Sequence, residues 1–369
     1  MAHLQKRGNK WQARYRGPDG KEHAKRFDTK RDAERWLTEN ENERNHGTWI
    51  DPSHGRVLFE EWAATWWETT PALRPSSRAR DLSYLRTHIL PVFGPIPLAA
   101  IDHMMVTKWV AQLSAAGKAP ATVQKANQIL AKVMASAVDA KRIPASPCVK
   151  VKLPKIEREE MRFLDPDEIA VLASAIDPRY RALVLLGCYS GLRIGELSGL
   201  KRSRVHPLKR SVEVAEILTD VGGHLHWGQP KTRAGRRSVS VPAEIMDELT
   251  AHMERYSGQE LVFTGPDGAP LRVTNWRRRH WNPAVAAAGL SPLRPHDMRH
   301  TAVALWIAAG VPPLQVTRRA GHTTTSFTQD RYGHLFPSAE DEAADALSRF
   351  VVAPKVDADV VQITKGDVG

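Results

Sequence analysis

Apolar residues recur at helical spacing through much of the first half of the chain. Leu58, Trp62 and Trp66 repeat every four residues, and the sets Leu82, Leu85, Ile89 and Ile129, Val133, Ala137 follow the same rhythm. Proline-rich breaks at PVFGPIP and IPASP bound these stretches, so residues 56–150 are expected to form a helical unit with those stripes as its core. Upstream, KWQARYR and KEHAKRF flank a Gly-Pro-Asp-Gly turn and read as two short strands. Asp28-Thr29 then starts a helix whose apolar face holds Ala33, Trp36 and Leu37. Residues 1–50 are therefore expected to form a small ββ(β)α module, with a linker from Gly47 to Gly55. The segment KVKLPKIEREE, residues 150–160, is charged, contains one proline and lacks periodicity, as an inter-domain linker does.

Beyond residue 160 the pattern changes. Asp165-Pro166-Asp167-Glu168 supplies a cap, a proline at the first helical position and acids in the first turn. An apolar helix follows in RALVLLGCYSG. Three strands are expected at SVEVAEI, GHLHWGQP and RRSVSVP, and helices resume after residue 241. The fold class is mainly α with small β-sheets (α+β), with a larger unit over residues 160–350. The last stretch, 351–369, is expected to be a loosely ordered tail.

Charge narrows the partner. Fifty-three Lys and Arg face 41 Asp and Glu, a formal charge of +12. A surplus of this size favours a polyanion, either nucleic acid or an anionic membrane surface. No apolar run approaches the roughly 20 residues of a spanning helix, and MAHLQKRGNKW is not an apolar leader. Nucleic acid is thus favoured. Residues 6–31 concentrate the charge, with ten Lys or Arg against three acids. Arg14, Arg16, Lys25 and Arg26 are the DNA-contact candidates there, and a solvated charged hairpin is the ordinary alternative. The two cysteines, Cys148 and Cys188, form no CxxC pair and suit buried thiols in a reducing compartment.

Candidate chemistry sits near local structure breaks. Arg193 lies in GLRIGEL; its ordinary explanation is a surface arginine, or one paired with Glu196. Lys231 and Arg233 lie in QPKTRAGRR, with Arg236 beyond, which alone would be a basic turn. His296 and Arg299 in RPHDMRH are three apart, so a helix would place them on one face. His322 follows in RAGH and Tyr332 in DRYGH. Each is ordinary by itself. Together, two arginines, a lysine, two histidines and a late tyrosine meet the needs of transesterification at a DNA phosphodiester. Guanidinium groups can hold the non-bridging oxygens, where negative charge builds, by bidentate charge-assisted bonds. Such preorganised donors are worth roughly 3–4 kcal/mol each in other enzymes. A phenol, with a pKa of about 10, leaves more readily than an alkyl alcohol, so a phosphotyrosine link is reversible without ATP. A lysine can protonate the leaving sugar oxygen, and histidines can accept the phenol proton or hold a phosphate oxygen.

GLRIGEL, PKTRAGRRSVSVP, HDMRHTAVALWIAAG, GH at 321–322 and DRYGHLFP, in that order, resemble the tyrosine recombinases, specifically the phage-type integrases. The resemblance is specific over roughly residues 160–340 and looser before that; an alanine precedes Gly-His where the family more usually has an apolar residue of another kind. It implies an arm-type DNA-binding domain over 1–50, a helical core-binding domain over 56–150 and a mixed α/β catalytic domain over 160–350. The last two would close as a C-shaped clamp on the duplex. It also implies roles: Arg193 and Arg299 clamp the phosphate, Lys231 is the general acid, His296 assists proton transfer at the tyrosine, and His322 binds the phosphate. Tyr332 is the nucleophile, giving a 3′-phosphotyrosine and a 5′-hydroxyl. Arg233 and Arg236 join the DNA-contact set. His300 and His334 adjoin motif positions, but the family pattern gives them no catalytic part; Glu196 is expected to be structural and Asp297 to orient a neighbour. No metal, cofactor or nucleotide is expected. The expected partners are double-stranded attachment-site DNA, a homotetramer passing through a Holliday junction, a host DNA-bending protein and a directionality factor. The rivals are a relaxing topoisomerase, a non-catalytic DNA-binding regulator and a metal-dependent nuclease. The first is opposed by the basic N-terminal module, the second by the ordered polar set, the third by the lack of a close carboxylate cluster.

Overall fold

The structure is a computed structural model that describes residues 2–336 and Leu347, without 48, 52, 71–72, 158–160, 231–232 and 257. Lys231 and the tail 351–369 lie outside the described residues. The chain divides into two compact units, residues 1–159 and 160–369.

The first unit opens with a three-stranded antiparallel sheet, β1 (His3–Arg7), β2 (Lys10–Arg16) and β3 (Glu22–Phe27), in the order β1-β2-β3. The sequence pattern called for two strands. HLQKR has little apolar alternation and becomes a strand through its pairing with β2, in the register Leu4↔Ala13. Helix α1 (Lys30–Asn45) begins where Thr29 accepts the Asp32 N–H at 3.1 Å. Ala13 and Tyr15 are buried; Trp36 of α1 packs at 5.1 Å from the Tyr15 ring. The expected linker after Gly47 is partly docked. Trp49 donates its indole N–H to the Tyr15 hydroxyl at 2.9 Å, and Asp51 is buried.

The helical part comprises α2 (Phe59–Thr69), α3 (Pro75–Tyr84), α4 (Leu90–Phe93), α5 (His103–Ala115) and α6 (Pro120–Asp139). The predicted stripes are its core: Leu85, Ile89, Ile129, Val133 and Ala137 are buried with Phe59, Phe93 and Trp109. Trp62 is half-buried and donates to Ser136 Oγ at 3.1 Å. Between α3 and α4 the chain makes a π-turn, Leu85–Ile89, just before Pro91; a second, Arg277–Trp281, stands just before Pro283. Proline lacks an N–H and crowds the preceding turn, and the wider turn absorbs both defects.

The second unit holds α7 (Pro166–Ala175), α8 (Pro178–Ser190) and α9 (Ile194–Ser198), then β4 (Val205–His206), β5 (Ser211–Val214), β6 (Ile217–Val221), β7 (His224–Gly228) and β8 (Arg237–Ser240). After them come α10 (Ala243–Arg255), α11 (Val273–Trp276), α12 (Asn282–Ala287), α13 (Asp297–Ala308), α14 (Pro313–Ala320) and α15 (Thr325–Tyr332). The capping box at Asp165 and Glu168 forms as expected. SVEVAEI is not one strand. It breaks after Val214, because β5 pairs with β8 in a three-stranded sheet while Ile217 opens a separate β6–β7 hairpin. Helix α8 is buried on most sides, as RALVLLGCYSG suggested, and packs against α7, α10 and α13. Among the described residues no helix is long and apolar enough to cross a membrane.

Candidate active site

Two glycines set the frame. Gly191 ends α8 at φ +63°, and Gly321 ends α14 at φ +64°, left-handed values that glycine reaches without strain. Space is short as well: a Cβ on Gly191 would lie 2.7 Å from the Trp306 ring, so something must shift, and one on Gly321 would crowd the Ala234 carbonyl at 3.0 Å. These tight ends leave carbonyl groups of Gly191 and Ala320 facing one side chain, Arg299 of α13. It donates Nη1 to Gly191 O at 2.8 Å and Nη2 to Ala320 O. A guanidinium carries five N–H groups, so donors remain for a ligand.

Arg193 stands at the start of α9. Glu196, one turn on, accepts the Arg193 backbone N–H at 2.9 Å and its Nη1 at 2.9 Å. The same carboxylate accepts Nη1 and Nη2 of Arg237 at 3.2 and 3.0 Å, and Arg237 also donates Nε to Arg319 O at 2.7 Å. The Glu196 side chain is 1% exposed and that of Arg193 39%. Glu196 is thus the buried strut between β8 and α9, and Arg193 keeps an open edge. Burial alone would raise the Glu196 carboxyl pKa; Arg237, with Arg193 behind it, more than reverses this and holds it below the usual range. Three guanidinium groups against this one carboxylate leave the pocket positive. Burial, then the charges of Arg193 and Arg237, lower Arg299 to about 9, so it keeps its proton at neutral pH.

Tyr332 is the last residue of α15 and is 1% exposed. Its ring lies nearly parallel to that of His322, 11° between planes and 6.3 Å between centroids. His322 is held by Nδ1, 2.9 Å from Thr328 Oγ1, which in turn lies 2.9 Å from Thr317 Oγ1. The Tyr332 hydroxyl lies 2.6 Å from Nδ1 of His300. His296, just before α13, meets His300 edge-on at 4.8 Å. Burial raises the Tyr332 pKa, opposed by the positive charges of Arg299, Arg331 and Arg193. The hydroxyl therefore sits in an arginine field, although its ring packs beside Ala302, Val303 and Trp306. Burial, first among the causes, pushes His322 down to about 3 and His300 to about 4, and lowers His296 as well. All three rings are neutral at pH 7.

The structure thus gathers Arg193, His296, Arg299, His322 and Tyr332 in one region; Lys231 lies outside the described residues, as does the side chain of Arg233. Arg236 is exposed beside β8. In the N-terminal sheet, Arg14 and Arg16 alternate with the buried Ala13 and Tyr15, and Arg26 pairs with Gln12, so the three share the outer face. Arg14 there is tied to Glu22 at 3.1 Å. Lys25 pairs with Ala13 and lies on the opposite face, over the Phe27 ring. Asp297 orients its neighbour, accepting the Arg294 N–H at 2.7 Å. Two further residues stand in the site: His300, which the family pattern left without a catalytic part, and Arg237, which the sequence reading did not single out. His300 lies four after His296, a helical neighbour on the same face, and Arg237 shares strand parity with the buried Val239. Those spacings mark each as a near neighbour of the site, but neither says what its side chain meets.

A profile of the phage integrase family matches residues 162–338, one of the phage integrase N-terminal domain matches 5–46, and one of the phage integrase N-terminal SAM-like domain matches 58–114. The phiRv2 prophage integrase of Mycobacterium tuberculosis is 28% identical over 357 residues, covering 92% of each chain. The integrase of Mycobacterium phage L5 is 26% identical, covering 88% of this chain and 89% of its own. Among solved structures, the Tn1549 transposon integrase in complex with a circular intermediate DNA superposes with a TM-score of 0.67 at 18% identity, covering 80% of this chain and 100% of its own. A lambda integrase dimer bound to a core site gives 0.59 at 17% identity, covering 91% and 96%.

Proposed function

Because the chain belongs to the phage integrase family of tyrosine recombinases, we infer that it cuts and rejoins DNA at specific sites through a covalent link to Tyr332. The observation that carries this is the convergence of the Tyr332 phenol at the end of α15, the His322 ring in the turn after α14 and the Arg299 guanidinium of α13 in one positive pocket. In the reaction, Arg193 and Arg299 hold the non-bridging oxygens of the scissile phosphate. Their charge offsets the negative charge that grows in the transition state. Thr328 fixes His322 through Nδ1, which turns Nε2 to a phosphate oxygen. Tyr332 Oη attacks phosphorus and the bond to the 5′ oxygen breaks. Lys231 protonates that oxygen, leaving a 3′-phosphotyrosine and a 5′-hydroxyl. Attack by a 5′-hydroxyl from a second duplex reverses the step and builds the Holliday junction. None of these steps calls on a metal or a nucleotide.

The same reading assigns residues 1–50 to arm-type sites, 56–150 to the core site and 160–350 to catalysis. The outer sheet face with Arg14, Arg16 and Arg26 serves the first of these. A tetramer on two duplexes, assisted by a host DNA-bending protein and a directionality factor, completes the reading, in the bacterial cytoplasm at the nucleoid. The test is a core-site duplex nicked so that the cleaved fragment diffuses away. Wild-type protein accumulates a covalent adduct in EDTA, while Tyr332→Phe binds the duplex but forms none. An adduct that requires added metal, or one formed by Tyr332→Phe, would contradict the assignment.

A further inference from the structure

His300 has no part in the mechanism above, yet it makes the shortest polar contact to the attacking group. Its Nδ1 lies 2.6 Å from the Tyr332 hydroxyl, and both residues are buried, at 4% and 1% exposure. No hydrogen bond joins His296 to Tyr332 among the described residues; His296 reaches the phenol only through the His300 ring, edge-on at 4.8 Å. We propose that His300, rather than His296, accepts the Tyr332 proton during strand cleavage, with His296 backing its ring from the other side. The proposal rests on Tyr332 being the nucleophile.

The geometry has two consequences. His300 follows Arg299 on α13, so the phosphate clamp and the proton acceptor share one rigid helix. An error in register between them would need α13 itself to move. Second, with the His300 ring proton on Nε2, a phenol 2.6 Å from the bare Nδ1 donates its proton toward that nitrogen, in line for transfer. The titratable groups that reach His300 are His296, itself neutral at pH 7, and the charged Arg331, Asp297 and Arg299. In the free protein burial and this largely positive surround keep the ring neutral, at about 4. An arriving phosphate adds negative charge to the pocket, which favours the imidazolium form. The step balances. The bond from Tyr332 Oη to phosphorus forms as its proton passes to Nδ1 of His300. The bond from phosphorus to the 5′ oxygen breaks as that oxygen takes a proton from the general acid. On rejoining, Nδ1 returns its proton to the phenol.

The test is single-turnover adduct formation on the nicked core duplex by the full chain, from pH 6 to pH 9.5, with a matched duplex carrying sulfur in place of the 5′ bridging oxygen. A thiolate leaves without a proton donor, so this duplex bypasses the general acid and isolates the nucleophile side. His300→Ala is expected to slow the adduct about a hundredfold at pH 7 with DNA binding intact. Sulfur substitution is expected not to restore it, and its rate is expected to climb about tenfold per pH unit as solvent hydroxide ionises the phenol. His300→Asn keeps a hydrogen-bond acceptor but no base, and is expected to show the same pH slope with a smaller loss; it decides the matter should His300→Ala fail to fold. A His300→Ala rate within about fivefold of wild type, recovery on the sulfur duplex, or the pH slope appearing in His296→Ala instead would overturn the proposal. Tyr332→Phe is run in parallel: an adduct there strikes the nucleophile assignment itself, whereas its absence beside an unimpaired His300→Ala strikes only the proton acceptor.

Discussion

Glu196 shows how much a single buried group carries. It balances Arg237 and holds Arg193 at the pocket edge. Glu196→Ala removes the buried carboxylate and strands two guanidinium groups, a change that costs about 3–5 kcal/mol elsewhere. Urea unfolding is expected to show that loss, and adduct formation to fall with it. The histidines set an acid limit. His300 and His322 are depressed to about 4 and about 3 in the folded state. The unfolded chain, with histidines near 6.5, therefore binds more protons between these values and 6.5. Stability is complete above about pH 6.5 and falls as pH drops toward the folded values. At pH 5 each histidine removes about 2 kcal/mol relative to pH 7. Unfolding midpoints at the two pH values check this, and His322→Asn is expected to flatten the difference by its own share. Residue identity at the site was largely legible, since Arg, His and Tyr were recognised by type, order and flanking motif. Partnership was not. Which histidine meets Tyr332 depends on how α15 lies against α13, and residue spacing within α13 carries no information about that.

At the scale of elements, periodicity carried the helices and failed at pairing. The stripes through Leu85, Ile129 and Val133 became the core of the first unit because burial of one face is what such spacing encodes. By contrast, β1 has no alternation of its own, and SVEVAEI splits because its two halves find different partners. Pairing is a tertiary property, set by strands remote in sequence. The helix ends are the more consequential feature for chemistry. Gly191→Ala would force a left-handed residue and push Cβ into Trp306, whose indole N–H also bonds Tyr189 O. The expected cost is about 1–3 kcal/mol, and the shift of the Gly191 carbonyl should loosen Arg299. Single-turnover cleavage should drop more than DNA binding does; equal losses in both would indicate a general folding defect instead.

For the molecule as a whole, the formal charge of +12 is the governing quantity. Phosphate contacts release counterions, so the affinity for core-site DNA is expected to fall at least about tenfold between 50 and 200 mM salt. A flat response in a filter or anisotropy titration would contradict a grip built on phosphates. The outer face of the N-terminal sheet makes a narrower prediction. Replacing Arg14, Arg16 and Arg26 together by Ala should weaken arm-type binding while leaving cleavage of the isolated core duplex unchanged. Lys25, on the other face of the sheet, should contribute less.

Recombination by this chain requires that the phenol of Tyr332 become bonded to DNA. The most direct test is to trap the adduct on a nicked core duplex, digest both polymers and identify the nucleotide-bearing peptide by mass spectrometry. The expected result is a single modified peptide spanning Asp330-Arg331-Tyr332, with the phosphate on Tyr332 and its sugar joined through the 3′ oxygen. A nucleotide on any other residue, or cleaved DNA with no modified peptide, would contradict it.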